Sequence, residues 1–445
     1  MKVGENYQIL LIKYLSFINK ILKLNYKILF LFKKLKGGRY MEIIDYSIPQ
    51  KARDAYSILK SFISNLKRSP DPATVTPDIY KRDNTVYTVG NVGADGFLYL
   101  LRWDNSIRKT KKDGEVIKVL DAGTYMEQGE TASLHCLLVS DTGRIIVTTN
   151  KGRCLVSDEA QTTLSEAFTF KSGKTSNTWG YDIYKNYVVI ASYGTKTADN
   201  PPREVYLSKD YGATWELIFD KPIDEMIDAS DYHIHDVAID PYNIGGTRLL
   251  VSVGDTTNRQ ILYSDDFGET WKEMFPESEW IDLGTTPPIH PTSIVCLPNG
   301  IAFGSDELPE GISWWNRPKN VKNPDMRWED CEYKIQFGDS EDTIIGTLAV
   351  KGDSFEMDGF HYAVMPFRNH ETETDGRSRL YVTGDGGNTW HQIYIEELDT
   401  TNYKGFMNVR LWRKTDGKLW IYGTYSHEGD VKIWRSQMPD FNITG

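Results

Sequence analysis

The eight residues Ser208-Lys-Asp210-Tyr-Gly212-Ala-Thr214-Trp215 return as Ser264-Asp-Asp266-Phe-Gly268-Glu-Thr270-Trp271, and again as Thr383-Gly-Asp385-Gly-Gly387-Asn-Thr389-Trp390. The first two copies stand 56 residues apart and the next interval is 119, about two such periods. A degenerate copy is therefore expected near 315–325, where Trp314-Trp315-Asn316 stands close by. One period back lies Leu155-Val-Ser157-Asp158, and before it Leu100–Asp104; one period forward lies Ile433-Trp434-Arg435-Ser436. A period in the fifties with several strands per unit describes modules that bury their apolar faces only by stacking around an axis.

Each copy carries its own hairpin. Glu204–Leu207, Gln260–Tyr263 and Leu380–Val382 precede it as strands. The Asp accepts hydrogen bonds from backbone N–H groups just ahead, and the Gly supplies a positive φ. The Thr opens the return strand, and the Trp is a large apolar wedge between neighbouring units. Other runs from about Tyr80 onward, such as Tyr187–Ser192, Arg248–Val253 and Leu419–Thr424, cluster β-branched and aromatic residues between turn residues. The reading is all-β.

The pattern Ser/Thr-x-Asp-x-Gly-x-Thr-Trp resembles the Asp-box (BNR) repeat of sialidase-like β-propellers, over most of residues 80–445. The resemblance implies four-stranded antiparallel blades around a central axis. Third strands near 102, 157, 208, 264, 315, 383 and 435 predict seven blades, with six, the sialidase-like number, as the alternative. Ser208, Asp210, Gly212, Trp215, Ser264, Asp266, Gly268, Trp271, Thr383, Asp385, Gly387 and Trp390 are then structural, and the three tryptophans are expected to be buried between blades. Asp boxes occur in sialidases, other glycosidases, sorting receptors and non-enzymatic adhesins, so they imply fold far better than function.

The N-terminal part is different. Residues 1–40 hold nine Lys/Arg and one acid, leaving 41–445 with a balance of −19 out of the whole chain's −11. Lysines 13, 20, 23 and 27 break the apolar run Ile9–Phe32 too often for a bilayer span. Lys36-Gly37-Gly38-Arg39-Tyr40-Met41 can be encoded by a strong bacterial ribosome-binding sequence before a start codon. Residues 1–40 are therefore expected to be translated leader, without export signal or membrane insertion. In 41–68, Ser47 and Pro49 open a short helix whose Ala52, Ala55, Tyr56, Leu59, Phe62, Ile63 and Leu66 form one apolar stripe. Residues 69–79 read as a Pro-rich linker. The stripe is expected to serve attachment to other proteins or self-association, with a trimer as the favoured homo-oligomer. The acidic balance argues against nucleic acid. Cys136, Cys154, Cys296 and Cys331 are too few for a disulfide scaffold, and no local cluster suggests zinc, so neither metal nor cofactor is expected.

In such a propeller the Asp-box turns occupy one face, and a ligand funnel is expected on the other. The predicted openings of the innermost strands read Leu134-His135-Cys136, Trp179-Gly-Tyr181-Asp182, His233-Ile-His235-Asp236, His290-Pro-Thr292-Ser293, Phe360-His361-Tyr362 and Phe406-Met-Asn408. His135, His233, His235, His290 and His361, with Trp179, Tyr181 and Tyr362, are the candidate ligand-binding residues. Aromatic faces stack on sugar C–H surfaces and ring N–H and O–H groups read hydroxyls; the competing role is to lock loops to the scaffold. Arg203, Arg259 and Arg379 stand at the openings of third strands and suit a carboxylate or phosphate, or else pair with surface acids. Acids on the same loops are Asp199, Asp255, Asp306, Glu307, Glu371, Glu373, Asp375, Glu428 and Asp430, among which no catalytic pair stands out. The Arg-Ile-Pro signature of sialidases is missing; Asn316-Arg317-Pro318 is a poor imitation. The favoured function is a carbohydrate-binding propeller, a tail receptor-binding protein of a phage of a Gram-positive host, made in the bacterial cytoplasm and carried in the virion. Its partners would be other virion proteins and a cell-surface glycopolymer with anionic groups. The alternatives are an exo-glycosidase of sialidase type and a cytoplasmic scaffold.

Overall fold

In the computed structural model the described residues are 68–70, 78–80, 86–110, 116–176, 179–194, 199–255, 258–276, 290–306, 310–337, 347–369, 377–395, 405–413, 417–427 and 430–443. The proposed leader 1–40, the expected helix in 41–68, and Glu307, Glu371, Glu373, Asp375 and Glu428 lie outside them.

Seven antiparallel sheets succeed one another along the unit Lys67–Asn442. Blade one comprises Val86–Val92, Leu98–Arg102, Ser106–Thr110 and Val116–Asp121; blade two, Ala132–Val139, Ile145–Thr149, Arg153–Ser157 and Leu164–Thr169. Blade three comprises Tyr181–Tyr184, Tyr187–Ala191, Glu204–Ser208 and Glu216–Asp220; blade four, His233–Asp240, Arg248–Gly254, Gln260–Ser264 and Lys272–Glu273. Blade five comprises Pro291–Leu297, Gly300–Ser305, Gly311–Asn316 and Cys331–Gln336. In blade six the innermost strand comes in two pieces, Thr347–Ala349 and Asp353–Met357, followed by Phe360–Asn369, Arg379–Thr383 and His391–Ile395. Blade seven takes Gly405–Arg413, Leu419–His427 and Asp430–Gln437 from the C-terminal end, and Asp78–Tyr80 adds its outermost strand. Residues 78 and 79, expected as linker, thus close the ring: Ile79 pairs with Trp434.

The three boxes have one geometry. Asp210 accepts from the Thr214 N–H (2.8 Å), the Thr214 hydroxyl (2.7 Å) and the Ser208 hydroxyl (2.9 Å), while Ser208 accepts from the Gly212 N–H (2.8 Å). Asp266 and Asp385 repeat the same set with Thr270 and Ser264, and with Thr389 and Thr383. The glycine in each has φ near +90°: 88°, 94° and 92°. Degeneracy shows at Asp158, which keeps only the bonds to Thr162 and Thr163. Leu100–Asp104, expected beside a third strand, instead spans the end of blade one's second strand and the turn after it.

The tryptophans wedge between blades to different depths. Trp215 meets Phe168 of blade two, and Trp271 donates to the Ile218 carbonyl of blade three and meets Phe219. Both are half-buried. Trp390 is 6% exposed, packed with Trp314 and Leu297 of blade five.

The innermost strands are stapled to one another by short polar side chains. Asn91 exchanges two hydrogen bonds with the Val139 backbone, and Asn408 donates to the Val89 carbonyl. Asp182, Asp236 and Asp353 accept from the N–H groups of Ile239, Ile294 and Leu411, and Ser293 accepts from Gly352. Four of these, at 182, 236, 293 and 408, are the last residues of the openings aligned from sequence. These four openings share one register, and the role of the final residue is an interblade staple. Two cations sit among them. Lys351 reaches Asp236 at 2.7 Å and the Val237 carbonyl at 3.0 Å, and Arg410 lies over the Tyr181 ring at 5.2 Å.

Candidate functional site

Strand direction alternates in every blade, so the turns of the three repeats share a lower face with the hairpins that join first to second strands. The upper face holds the loops entering each blade and those between second and third strands. On the upper face at the axis, Trp179, Tyr193, His233, His235 and His290 form one file of rings. Centroid separations are 6.1 Å for Trp179–Tyr193, 5.3 Å for Tyr193–His233, 4.4 Å for His233–His235 and 4.5 Å for His235–His290.

This file exists because blade four begins with His-x-His on a strand, where alternate residues share a face. Blade five begins with His290 at the same level, and Gly254 leaves room: a Cβ there would overlap both the His235 and His290 rings. The carboxylate next to it, Asp255, is the focus. Its Oδ1 lies 2.8 Å from His290 Nε2, 3.3 Å from His235 Nε2 and 3.6 Å from His233 Nε2. The two latter nitrogens are 2.6 Å apart. The opposite ring nitrogens are held too: His233 Nδ1 by the Asp231 carbonyl at 3.1 Å, His235 Nδ1 by the Pro291 carbonyl at 3.3 Å, and His290 Nδ1 by Asp306 at 2.7 Å. Burial alone would raise the Asp255 carboxyl, but the three histidines outweigh it and hold it well below the usual carboxylate range. Asp306 is likewise lowered, its burial overcome chiefly by His290. The histidine side chains are almost fully buried, whereas Asp255 keeps a quarter of its side chain exposed toward the mouth.

The other expected ligand residues are dispersed. His361 and Tyr362 belong to the lower half. The hairpin Met357-Asp358-Gly359-Phe360, with φ of 54° at Asp358 and 83° at Gly359, makes Phe360 the start of a second strand, not a first. The His361 carbonyl accepts from Gly386 in the turn of the third repeat, and Tyr362 packs on Phe441. Tyr181 is fully buried against Arg410 and belongs to the hub. His135 lies in the innermost strand of blade two, its side chain outside the described residues. The arginines open third strands as expected, but each serves its own surroundings. Arg203 pairs with Asp220 at 2.8 Å, and Arg379 lies over the Phe337 ring at 4.7 Å. Arg259 borders a groove on the upper side of blade four, with Lys221, Glu225, Ile227, Tyr232 and Asn258 around it. Arg317 forms a buried bidentate pair with Asp240 across blades four and five, a scaffold clamp on the lower side.

Sequence reasoning missed Tyr193 as part of the file and Asp255 as its focus. The His-x-His pair was the available signal for the cluster, and the Asp-Gly dipeptide at 358–359 was the signal that Phe360 follows a hairpin.

No protein-family profile matches this sequence, and comparison with curated proteins finds no match. Solved structures are similar at low identity. YCF48 from Cyanidioschyzon merolae is 14% identical at a TM-score of 0.44, covering 83% of this chain and 98% of that one. The WD40 repeats of RRP9 are 12% identical at a TM-score of 0.48, covering 83% and 99%. BamB from Moraxella catarrhalis is 12% identical at a TM-score of 0.39, covering 79% and 85%.

Proposed function

We propose that this seven-bladed propeller binds a glycan on its upper face and that it does so as an adhesin rather than by cleaving its ligand. The observation that carries the reading is the placement, on one face, of the ring file at the axis and the groove beside Arg259. Tyr193, the ring of the file that is not buried, presents a flat apolar surface to sugar C–H groups, and the groove offers Lys221 and Arg259 to an acidic or phosphate-bearing substituent. Arg203 and Arg379 are not part of this contact. The setting we propose is the tail of a phage, where a lysis-released protein meets a cell-wall polymer of a Gram-positive host and 47–68 is the attachment segment.

The test is binding of the full chain to purified wall glycopolymers and to their neutral backbones, with competition against phage adsorption. Saturable binding that falls with added salt and weakens in Arg259→Gln supports the reading. Release of sugar from labelled polymer would favour the glycosidase alternative. Indifference to every polymer would overturn both.

A further inference from the structure

We propose that His233, His235 and Asp255 form a site for one divalent transition-metal ion at the upper mouth of the axis, with His290 and Asp306 as the residues that position Asp255. The chemistry follows from which ring nitrogens are already engaged. His233 and His235 each face a backbone carbonyl through Nδ1, at 3.1 and 3.3 Å, so Nδ1 carries the proton in both. Once the proton between the two Nε2 atoms has left, each ring is neutral and presents an Nε2 lone pair to a space shared with a carboxylate oxygen. Ring orientation by an acceptor on the far nitrogen is how metal-binding histidines are held.

His290 differs. It lies between two carboxylates, Asp255 at 2.8 Å and Asp306 at 2.7 Å, so it faces a negative oxygen through each nitrogen and stays outside the ligand set. Its task is to fix Asp255 Oδ1 at ligand distance from the other two rings. The 3.3 and 3.6 Å separations from that oxygen to His235 and His233 Nε2 already suit a tetrahedral ion, whose bonds of 2.0–2.2 Å put ligand atoms about 3.3 Å apart. The 2.6 Å between the two Nε2 atoms suits a shared proton. The ion takes that proton's place, the proton leaves to solvent, and the rings part by less than about 1 Å. Two imidazoles and one carboxylate match zinc and the neighbouring first-row ions rather than calcium or magnesium, which prefer oxygen. Three protein ligands leave at least one position open, on the side where Asp255 is exposed.

The experiment uses the full chain stripped with a chelator, then titrated with Zn2+ by calorimetry and with Co2+ by visible absorption. The expected result is one equivalent of Zn2+ and a Co2+ band in the visible range, both abolished in His235→Gln and in Asp255→Asn and retained in His391→Gln. Asp306→Asn should weaken Zn2+ binding by roughly 10–100-fold while leaving the stoichiometry at one. Asp255→Asn keeps the shape of the side chain, so it decides the matter if His235→Gln fails to fold. Absence of saturable uptake by the native chain, which would make the cluster a proton-sharing one, overturns the proposal. So does uptake that Asp255→Asn leaves unchanged.

Discussion

The rim and the hub of this propeller are built on opposite principles. At the rim, each of the three repeat turns is complete within eight consecutive residues, and its carboxylate bonds to a threonine four residues ahead. At the hub, partners are distant in sequence: Lys351 meets Asp236, 115 residues away, and Asn408 meets Val89, 319 residues away. A local motif can degenerate in one blade without harming the others, as at Asp158. The hub staples link each blade to the next, so a defect there is shared by neighbours.

The largest expected effect is therefore at the hub. Lys351→Met leaves the buried Asp236 without its cation and should cost about 3–5 kcal/mol. The double variant Lys351→Met/Asp236→Leu should recover much of it; chemical denaturation of both measures the difference, and an equal loss in the two would break the hub account. Next comes Trp390→Ala at about 3–5 kcal/mol, with smaller losses for Trp215→Ala and Trp271→Ala because those rings are half-buried. Equal losses at all three would remove the distinction in depth. Asp266→Ala at the rim should cost about 1–2 kcal/mol, since it removes hydrogen bonds that water partly replaces.

The smallest effect is a contrast in pH dependence. Burial is the main influence on Asp236 and pushes it up to about 7, above its unfolded value. A raised carboxyl takes stability away as pH climbs from about 4 through 7, because the unfolded chain ionises first. Asp266 is shifted the other way: its bonds to Thr270 and Ser264 outweigh burial and lower it, so its contribution is present above about 4 and is lost as acid protonates it. Melting temperature against pH should thus flatten between 4 and 7 in Asp236→Asn and flatten below 4 in Asp266→Asn. The reverse assignment would contradict the comparison.

The same contrast explains what could be read from sequence. Turn chemistry is local, so the repeats and their period are legible in spacing, which favours seven blades while leaving six open. The hub openings were aligned correctly at 182, 236, 293 and 408, yet a staple's partner lies on another blade and has no local signature. Blade six misled because its innermost strand is interrupted at Val350–Gly352, which shifted His361 and Tyr362 onto the wrong face. His233, His235 and His290 are legible as residues of one face, but Asp255 sits on a different strand end from all three and has no local signal that ties it to them.

The measurement that tests the central proposal, that the upper mouth binds and the face of the repeat turns is scaffold, compares two variants for wall-glycopolymer affinity by calorimetry. Tyr193→Ala removes a half-buried ring of the upper file; Asp266→Asn alters a box on the lower face. The account expects Tyr193→Ala to lose at least about 1 kcal/mol of binding, a stacking contact's worth, with the fold retained, and Asp266→Asn to bind as the native chain does. Undiminished binding in Tyr193→Ala together with a loss in folded Asp266→Asn would contradict it.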